Sequence, residues 1–159
     1  LRFAGYDGLC ITGRASEPVY LWLNGGRLEV RDAAHVWGQD TYQTQESIRT
    51  ETGVPKARVA CIGPAAENGV KFAGIFCDHG RTAARTGLGL VMASKNLKAI
   101  AVKGSEKIPL ADAEAYNVIR SASNRALKSD NQTSVLHSVG TASVIENVRL
   151  SPTNVPYLT

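Results

Sequence analysis

Two arginines four residues apart, Arg81 and Arg85, lie in the stretch DHGRTAARTGLGLVMASKNLKAIAVKG (78–104) and are the side chains of this sequence best suited to holding an anion. A guanidinium presents a rigid fork of donors that matches phosphate or carboxylate geometry. Gly87 and Gly89 follow closely, and glycine lets backbone approach a ligand or turn through a left-handed conformation. The stretch succeeds an apolar run, VKFAGIFC (70–77), and closes in the strand-like KAIAV (98–102). The chemistry on offer is therefore an anion seated at a strand-to-helix junction. The same residues also read as a tight turn whose arginines face water.

Other chemistry is sparser. RTGLGLVM (85–92) contains GxG, but neither the strand-linked GxGxxG of a dinucleotide fold nor the GxxxxGK[ST] of a phosphate loop. Ser94 and Lys95 are adjacent, which is not the SxxK spacing of an acyl-transfer pair. His35, His79 and His137 lie in unrelated contexts and form no Ser-His-acid or Cys-His set. His79, beside Asp78 and Arg81, belongs to the one crowded polar cluster; it reads either as a proton donor or relay or as a support of the turn. Cys10, Cys61 and Cys77 are 51 and 16 residues apart with no CxxC. Each sits in an apolar run, which predicts packed core thiols rather than a disulfide or a metal site.

Composition narrows the partners. The chain has 159 residues, 43% hydrophobic and 20% charged, an ordinary globular mixture. A net charge of +4, from 18 basic and 14 acidic residues, suits an anionic ligand or an acidic partner domain. The densest basic group, Lys95, Lys98 and Lys103 with Lys107, lacks the interleaved aromatics of a nucleic-acid platform. No apolar run is long enough to span a bilayer. Opening at LRFAGYDG without Met and closing at VPYLT, the sequence reads as a piece of a longer chain.

The elements that must position the arginines follow from periodicity. YDGLCITG (6–13) reads as a strand. In PVYLWLNGGRLEVRDA (18–33), period-two alternation on both arms around Asn24-Gly25-Gly26 predicts a hairpin, with Trp22 facing the core. TYQTQESIRTETG (41–53) predicts a helix capped at Gly53, its thin apolar face of Tyr42, Ile48 and Val54 placing it on the outside of a sheet. ARVACIG (57–63) and VKFAGIFC (70–77) read as strands of a second hairpin, 89–96 as one or two helical turns, and 97–102 as a last strand. Five or six strands with one clear helix give an α+β domain with largely antiparallel pairing. Beyond Gly104 the pattern turns helical: a helix from Ala113 with Asp112 as N-cap, a second from near Thr133, and a third short one in ASVIENVRL (142–150). Residues 106–159 read as the start of a separate helical domain, whose apolar face needs a remainder to cover it.

AGYDG (4–8), PVYLWLNGGRLEVRDAAHVWG (18–38), VACIGPAAENGVKFAGI (59–75) and above all RTAARTGLGLVMASKNLKAIAVKG (81–104) resemble the N-terminal domain of the tungsten-containing aldehyde ferredoxin oxidoreductase family. The order and spacing match over at least residues 2–110. The resemblance implies a base of two β-sheets, residues 1–105, on which tungsten chelated by two pterin dithiolenes lies, with helical domains closing over it. It implies a Mg2+ bridging the pterin phosphates and a [4Fe-4S] cluster whose cysteines lie outside these residues. Arg81, Thr82 and Ala83 would then meet the phosphates, the Thr82 carbonyl would be a magnesium ligand, and Arg85, Gly87 and Gly89 would be the close-approach segment beneath the cofactor. Many members have Ala at the position of Thr82, a change that a carbonyl ligand survives, and Gly at the position of Ala93.

By the same resemblance the whole protein is a cytoplasmic enzyme that oxidises aldehydes to carboxylic acids and passes electrons to ferredoxin or an iron-sulfur subunit, and an oligomer is allowed. The alternatives are the branch that reduces aromatic acyl-coenzyme A thioesters, and a non-catalytic scaffold or interaction module. No residue of 1–159 selects the substrate.

Overall fold

The computed structural model describes residues 1–78 and 80–143. The chain divides into two compact units, Leu1–Ile108 and Pro109–Thr159.

The first unit is built on one mixed sheet of six strands: β1 (Val19–Asn24), β2 (Arg27–Asp32), β3 (Arg58–Cys61), β4 (Ile75–Cys77), β5 (Arg81–Ala83) and β6 (Leu97–Lys103), in the order β2-β1-β6-β3-β4-β5. Four of the five pairings are antiparallel, and β1 with β6 is parallel. The α+β class and its antiparallel bias are as expected, but the described strands join in one sheet rather than two. The joint is the β1–β6 pairing, which puts residues nearly 80 positions apart side by side (Tyr20 against Ala99, Trp22 against Ala101).

The hairpin forms where the alternation placed it, with Tyr20 against Arg31 and Trp22 against Glu29. Gly25 and Gly26 supply the positive φ angles, 55° and 75°, that its two-residue turn requires. Period-two alternation sends Tyr20 and Trp22 to one core cluster, with Ile48, Val59, Cys61, Ala99 and Ala101. Leu21 goes to the other cluster, with Ile62, Ala66, Ala73, Met92 and Leu97. Helix α1 (Thr41–Thr52) covers the first face through Ile48, which is fully buried. Asp40 caps it in a reciprocal capping box with Gln43, and Gly53, at φ 65°, ends it. Tyr42, expected on its buried face, is 55% exposed, and Thr44 and Gln45 are buried instead; Thr44 satisfies its hydroxyl on the Asp40 carbonyl at 2.7 Å. Helices α2 (Pro64–Glu67) and α3 (Leu88–Ser94) supply Ala66 and Met92 to the second face.

Further expectations change. Tyr6–Gly13 forms no strand, and Cys10 in it is exposed; Cys61 is buried and Cys77 half-buried. The strand expected over 70–77 is confined to Ile75–Cys77, because Val70–Gly74 is a turn packed against α3. Lys98, counted with the surface lysines, is fully buried: its ammonium pairs with the Glu67 carboxylate and donates to the Gln39 carbonyl at 2.8 Å.

The second unit is described through Ser143. It holds α4 (Ala113–Ser129) and α5 (Asn131–Val139), whose N-caps Asp112 and Asp130 accept from Ala115 N and Thr133 N at 2.9 and 2.7 Å. A 3-10 turn, Gly140–Ser143, follows; the third helix expected over 142–150 falls almost wholly outside the described residues. None of the residues of α4 and α5 is buried, and Ile119 and Leu127 of α4 are 66% and 54% exposed.

Candidate functional site

The residues singled out for an anion come together at the far edge of the sheet. Strand β5 is that edge, pairing among the described residues only with β4, with Arg81 opposite Cys77, Thr82 opposite Phe76 and Ala83 opposite Ile75. Its sequence carries no strand signal, so it was expected as a polar turn. Pairing with β4 makes it a strand, and every residue from Arg81 to Thr86 is exposed. Among the described residues neither the Arg81 nor the Arg85 guanidinium has a hydrogen bond or an ion pair. The Thr82 hydroxyl donates to the Gly80 carbonyl at 3.3 Å, and the Thr86 hydroxyl to the Arg85 carbonyl.

The chain then passes through two successive left-handed residues, Thr86 (φ 68°) and Gly87 (φ 71°), into α3. The glycines here turn out to serve the protein's own backbone. A Cβ on Gly87 would lie 2.5 Å from the Lys71 carbonyl oxygen, and one on Gly89 2.6 and 2.7 Å from those of Gly74 and Ala73. Gly89 N donates to the Ala73 carbonyl at 2.9 Å. Gly74 is part of the same contact: a Cβ there would stand 3.0 Å from the Ala83 carbonyl oxygen and 3.1 Å from Thr82 Cγ2. Gly74, Gly87 and Gly89 thus let β5, the 70–74 turn and the start of α3 close on one another. Sequence reading found two of the three and missed Gly74, which follows an alanine in an apolar run and carries no motif.

Charge is distributed unevenly around this edge. Asp78, the sole carboxylate in 78–104, turns away from β5 to Arg58 Nη1 at 3.0 Å and Arg49 Nη2 at 3.8 Å. The Cys77 thiol, opposite Arg81, is pushed up by burial and by the charge of Asp78, and drawn back by that of Arg81. His79 lies outside the described residues, so the polar cluster expected around it is described only through Asp78 and Arg81. His35 pairs through Nε2 with Glu51 Oε2 at 3.0 Å. Among the described residues no group of three or more His, Cys, Asp or Glu could hold a metal ion. A cleft of about 340 Å³ runs between the 63–66 and 70–76 segments, but none of Arg81–Gly89 lines it. The arginine edge is an open surface.

These features define an α+β domain that presents a basic, glycine-thinned sheet edge to whatever covers it. The chain belongs to the aldehyde ferredoxin oxidoreductase family: residues 1–104 match the family model described as aldehyde ferredoxin oxidoreductase, N-terminal domain. It is 46% identical over 130 residues to the tungsten-containing aldehyde ferredoxin oxidoreductase of Pyrococcus furiosus, an alignment covering 82% of this chain and 22% of that protein. It is 42% identical over 121 residues to the aliphatic sulfonate oxidoreductase, WOR-like subunit, of the same organism, covering 69% and 19%. Among solved structures it is similar to the active-site complex BamBC of benzoyl-coenzyme A reductase in complex with 1,5-dienoyl-CoA, with a TM-score of 0.76 and 39% identity over 80% of this chain and 19% of that one. The chain spans about a fifth of the length of the relatives it matches.

Proposed function

We propose that residues 1–105 are the base on which a tungsten bis-pterin cofactor lies, and that the protein they belong to oxidises aldehydes to carboxylic acids. The observation that carries this reading is the β5 edge, where Arg81 and Arg85 stand exposed and unpaired among the described residues beside backbone thinned by glycine. Phosphate dianions ask for such donors. Arg81, Thr82 and Ala83 would meet the phosphate end of the pterins, and the Thr82 carbonyl would be a ligand of the Mg2+ that neutralises those phosphates, since hard divalent cations take oxygen ligands. Gly87 and Gly89 act from beneath, setting the height of the 84–87 loop against the 71–74 backbone, and Arg85 projects from that loop. Bound there, a tungsten centre would supply two-electron oxidation chemistry with water as the oxygen source, and a [4Fe-4S] cluster would supply a one-electron path to ferredoxin or an iron-sulfur subunit. This chain's own residues bind and orient the cofactor. Residues 106–159 are proposed as the start of a helical domain, and the cytoplasm, expected from the family, as the compartment.

A second reading is reduction of an aromatic acyl-coenzyme A thioester, which the likeness to the benzoyl-coenzyme A reductase complex favours. Assays of the purified full-length protein separate the two: aldehyde-dependent reduction of a ferredoxin or viologen supports the first, and thioester-dependent oxidation of a low-potential donor supports the second. Both require tungsten and pterin to co-purify with the full-length protein. If neither does, the chain is a scaffold or interaction module.

A further inference from the structure

Asp78 stands at the turn between β4 and β5, three residues before Arg81, with φ 45°. A non-glycine residue in the left-handed region is strained, a strain that glycine avoids. The side chain must offset it. Its carboxylate reaches back into the unit, with Oδ2 3.0 Å from Arg58 Nη1 on β3 and Oδ1 3.8 Å from Arg49 Nη2 on α1. Oδ1 is buried and accepts no hydrogen bond among the described residues, so charge is what draws it to Arg49. Arg49 is itself fixed, its Nε donating to the Ala57 carbonyl at 3.1 Å and its Nη1 to Glu46 at 2.8 Å.

We propose that Asp78 is a positioning residue for the anion site: its carboxylate, held between Arg49 and Arg58, ties the chain at the end of β4 to α1 and β3 and fixes where Arg81 and Thr82 emerge at the sheet edge. The same contact occupies the one acidic side chain of the stretch and leaves Arg81 its full charge. The inference rests on the reading of Arg81 as a phosphate ligand. If Asp78 served only the turn, glycine would serve as well, and this provides the test.

Tungsten per chain is measured in the full-length protein purified from tungstate-supplemented cells, and melting temperature in protein from tungsten-free cells, for wild type, Asp78→Gly, Asp78→Asn and Arg81→Ala. Relief of strain opposes the loss of the two ion pairs and the added unfolded-state entropy of glycine, so Asp78→Gly is expected to melt within about 2 °C of wild type without cofactor. With tungstate it is expected to hold at least about ten-fold less tungsten, the equivalent of about 1.4 kcal/mol of binding. Asp78→Asn, which tolerates the left-handed backbone and keeps a side-chain oxygen facing Arg58, should fall between. Wild-type tungsten content in Asp78→Gly, with Arg81→Ala depleted, overturns the role of Asp78 alone. A cofactor-free melting temperature that falls in step with tungsten content assigns Asp78 to folding and overturns it too. Should Asp78→Gly not fold, Asp78→Asn decides: content equal to wild type overturns the proposal. Undiminished tungsten in Arg81→Ala removes the underlying reading and the inference with it.

Discussion

Cys77 sits between two opposed charges, and its thiol reports on both. Burial and the Asp78 carboxylate hold its pKa above the ordinary value, while Arg81 across the strand pair pulls the other way. The two neighbours must therefore move it in opposite directions. In Asp78→Asn the rate of alkylation at Cys77, followed by peptide mass spectrometry against pH, should shift to lower pH; in Arg81→Ala it should shift to higher pH. Shifts of the same sign in both variants would contradict the arrangement of charges described here. At this scale the sequence was legible in the exposure of Arg81 and Arg85, whose charge keeps them in water. It was not legible at Lys98 or Asp78. Lys98 is buried because Glu67, 31 residues earlier, lies against it, and removing one member of such a buried pair costs about 3–5 kcal/mol. Asp78 turns inward because Arg49 and Arg58 lie behind it. Neither partner is near in sequence.

Among the elements, the contact between the 70–74 turn, β5 and α3 sets the shape of the site, and glycine makes it possible. Gly89→Ala would thrust a methyl group to within 2.6 and 2.7 Å of two backbone carbonyl oxygens, neither of which can rotate away. Overpacking of this kind costs about 1–3 kcal/mol. Gly53→Ala meets no atom within 4 Å and bears only the strain of φ 65° at the end of α1, about 1–2 kcal/mol. Thermal unfolding of the two variants should therefore show losses of similar size, but only Gly89→Ala should also lower tungsten content, since only it pushes on the 73–74 backbone that lies against β5. Equal tungsten retention in both would show that this packing does not shape the site. The β1–β2 hairpin and α1 were legible because alternation, an Asn-Gly-Gly turn, a capping box and a C-cap glycine are all local signals. Strand β5 was hidden because its three residues owe their extended form to β4. The Tyr6–Gly13 expectation failed for the converse reason: it has strand-like residues but no neighbouring strand to pair with.

At the level of the molecule, the parallel β1–β6 pairing makes one sheet of strands that sequence reading divided between two. Local patterns reveal hairpins; they do not show which distant strand lies beside which. The sheet buries two protons that are hard to remove. Burial pushes the Cys61 thiol up to about 12, and burial together with the hydrogen bond to Glu51 pushes the Tyr20 phenol up to about 12. In the unfolded chain both ionise near their ordinary values of 9.0 and 10.0. Their contribution to stability is thus complete below about 9 and is lost as pH rises toward about 12, at about 1.4 kcal/mol per pH unit for each group ionised only when unfolded. Melting temperature should fall across that window, and Cys61→Ala should lessen the slope; a slope unchanged in that variant would contradict the placement of the thiol. The central claim, that the β5 edge holds the phosphate end of a bis-pterin tungsten cofactor, is tested most directly by tungsten and pterin phosphate content of the full-length protein as wild type and as Arg81→Ala. The account predicts tungsten and pterin together in wild type and severe loss of both in the variant. Wild-type protein carrying neither, or a variant carrying as much as wild type, would contradict it.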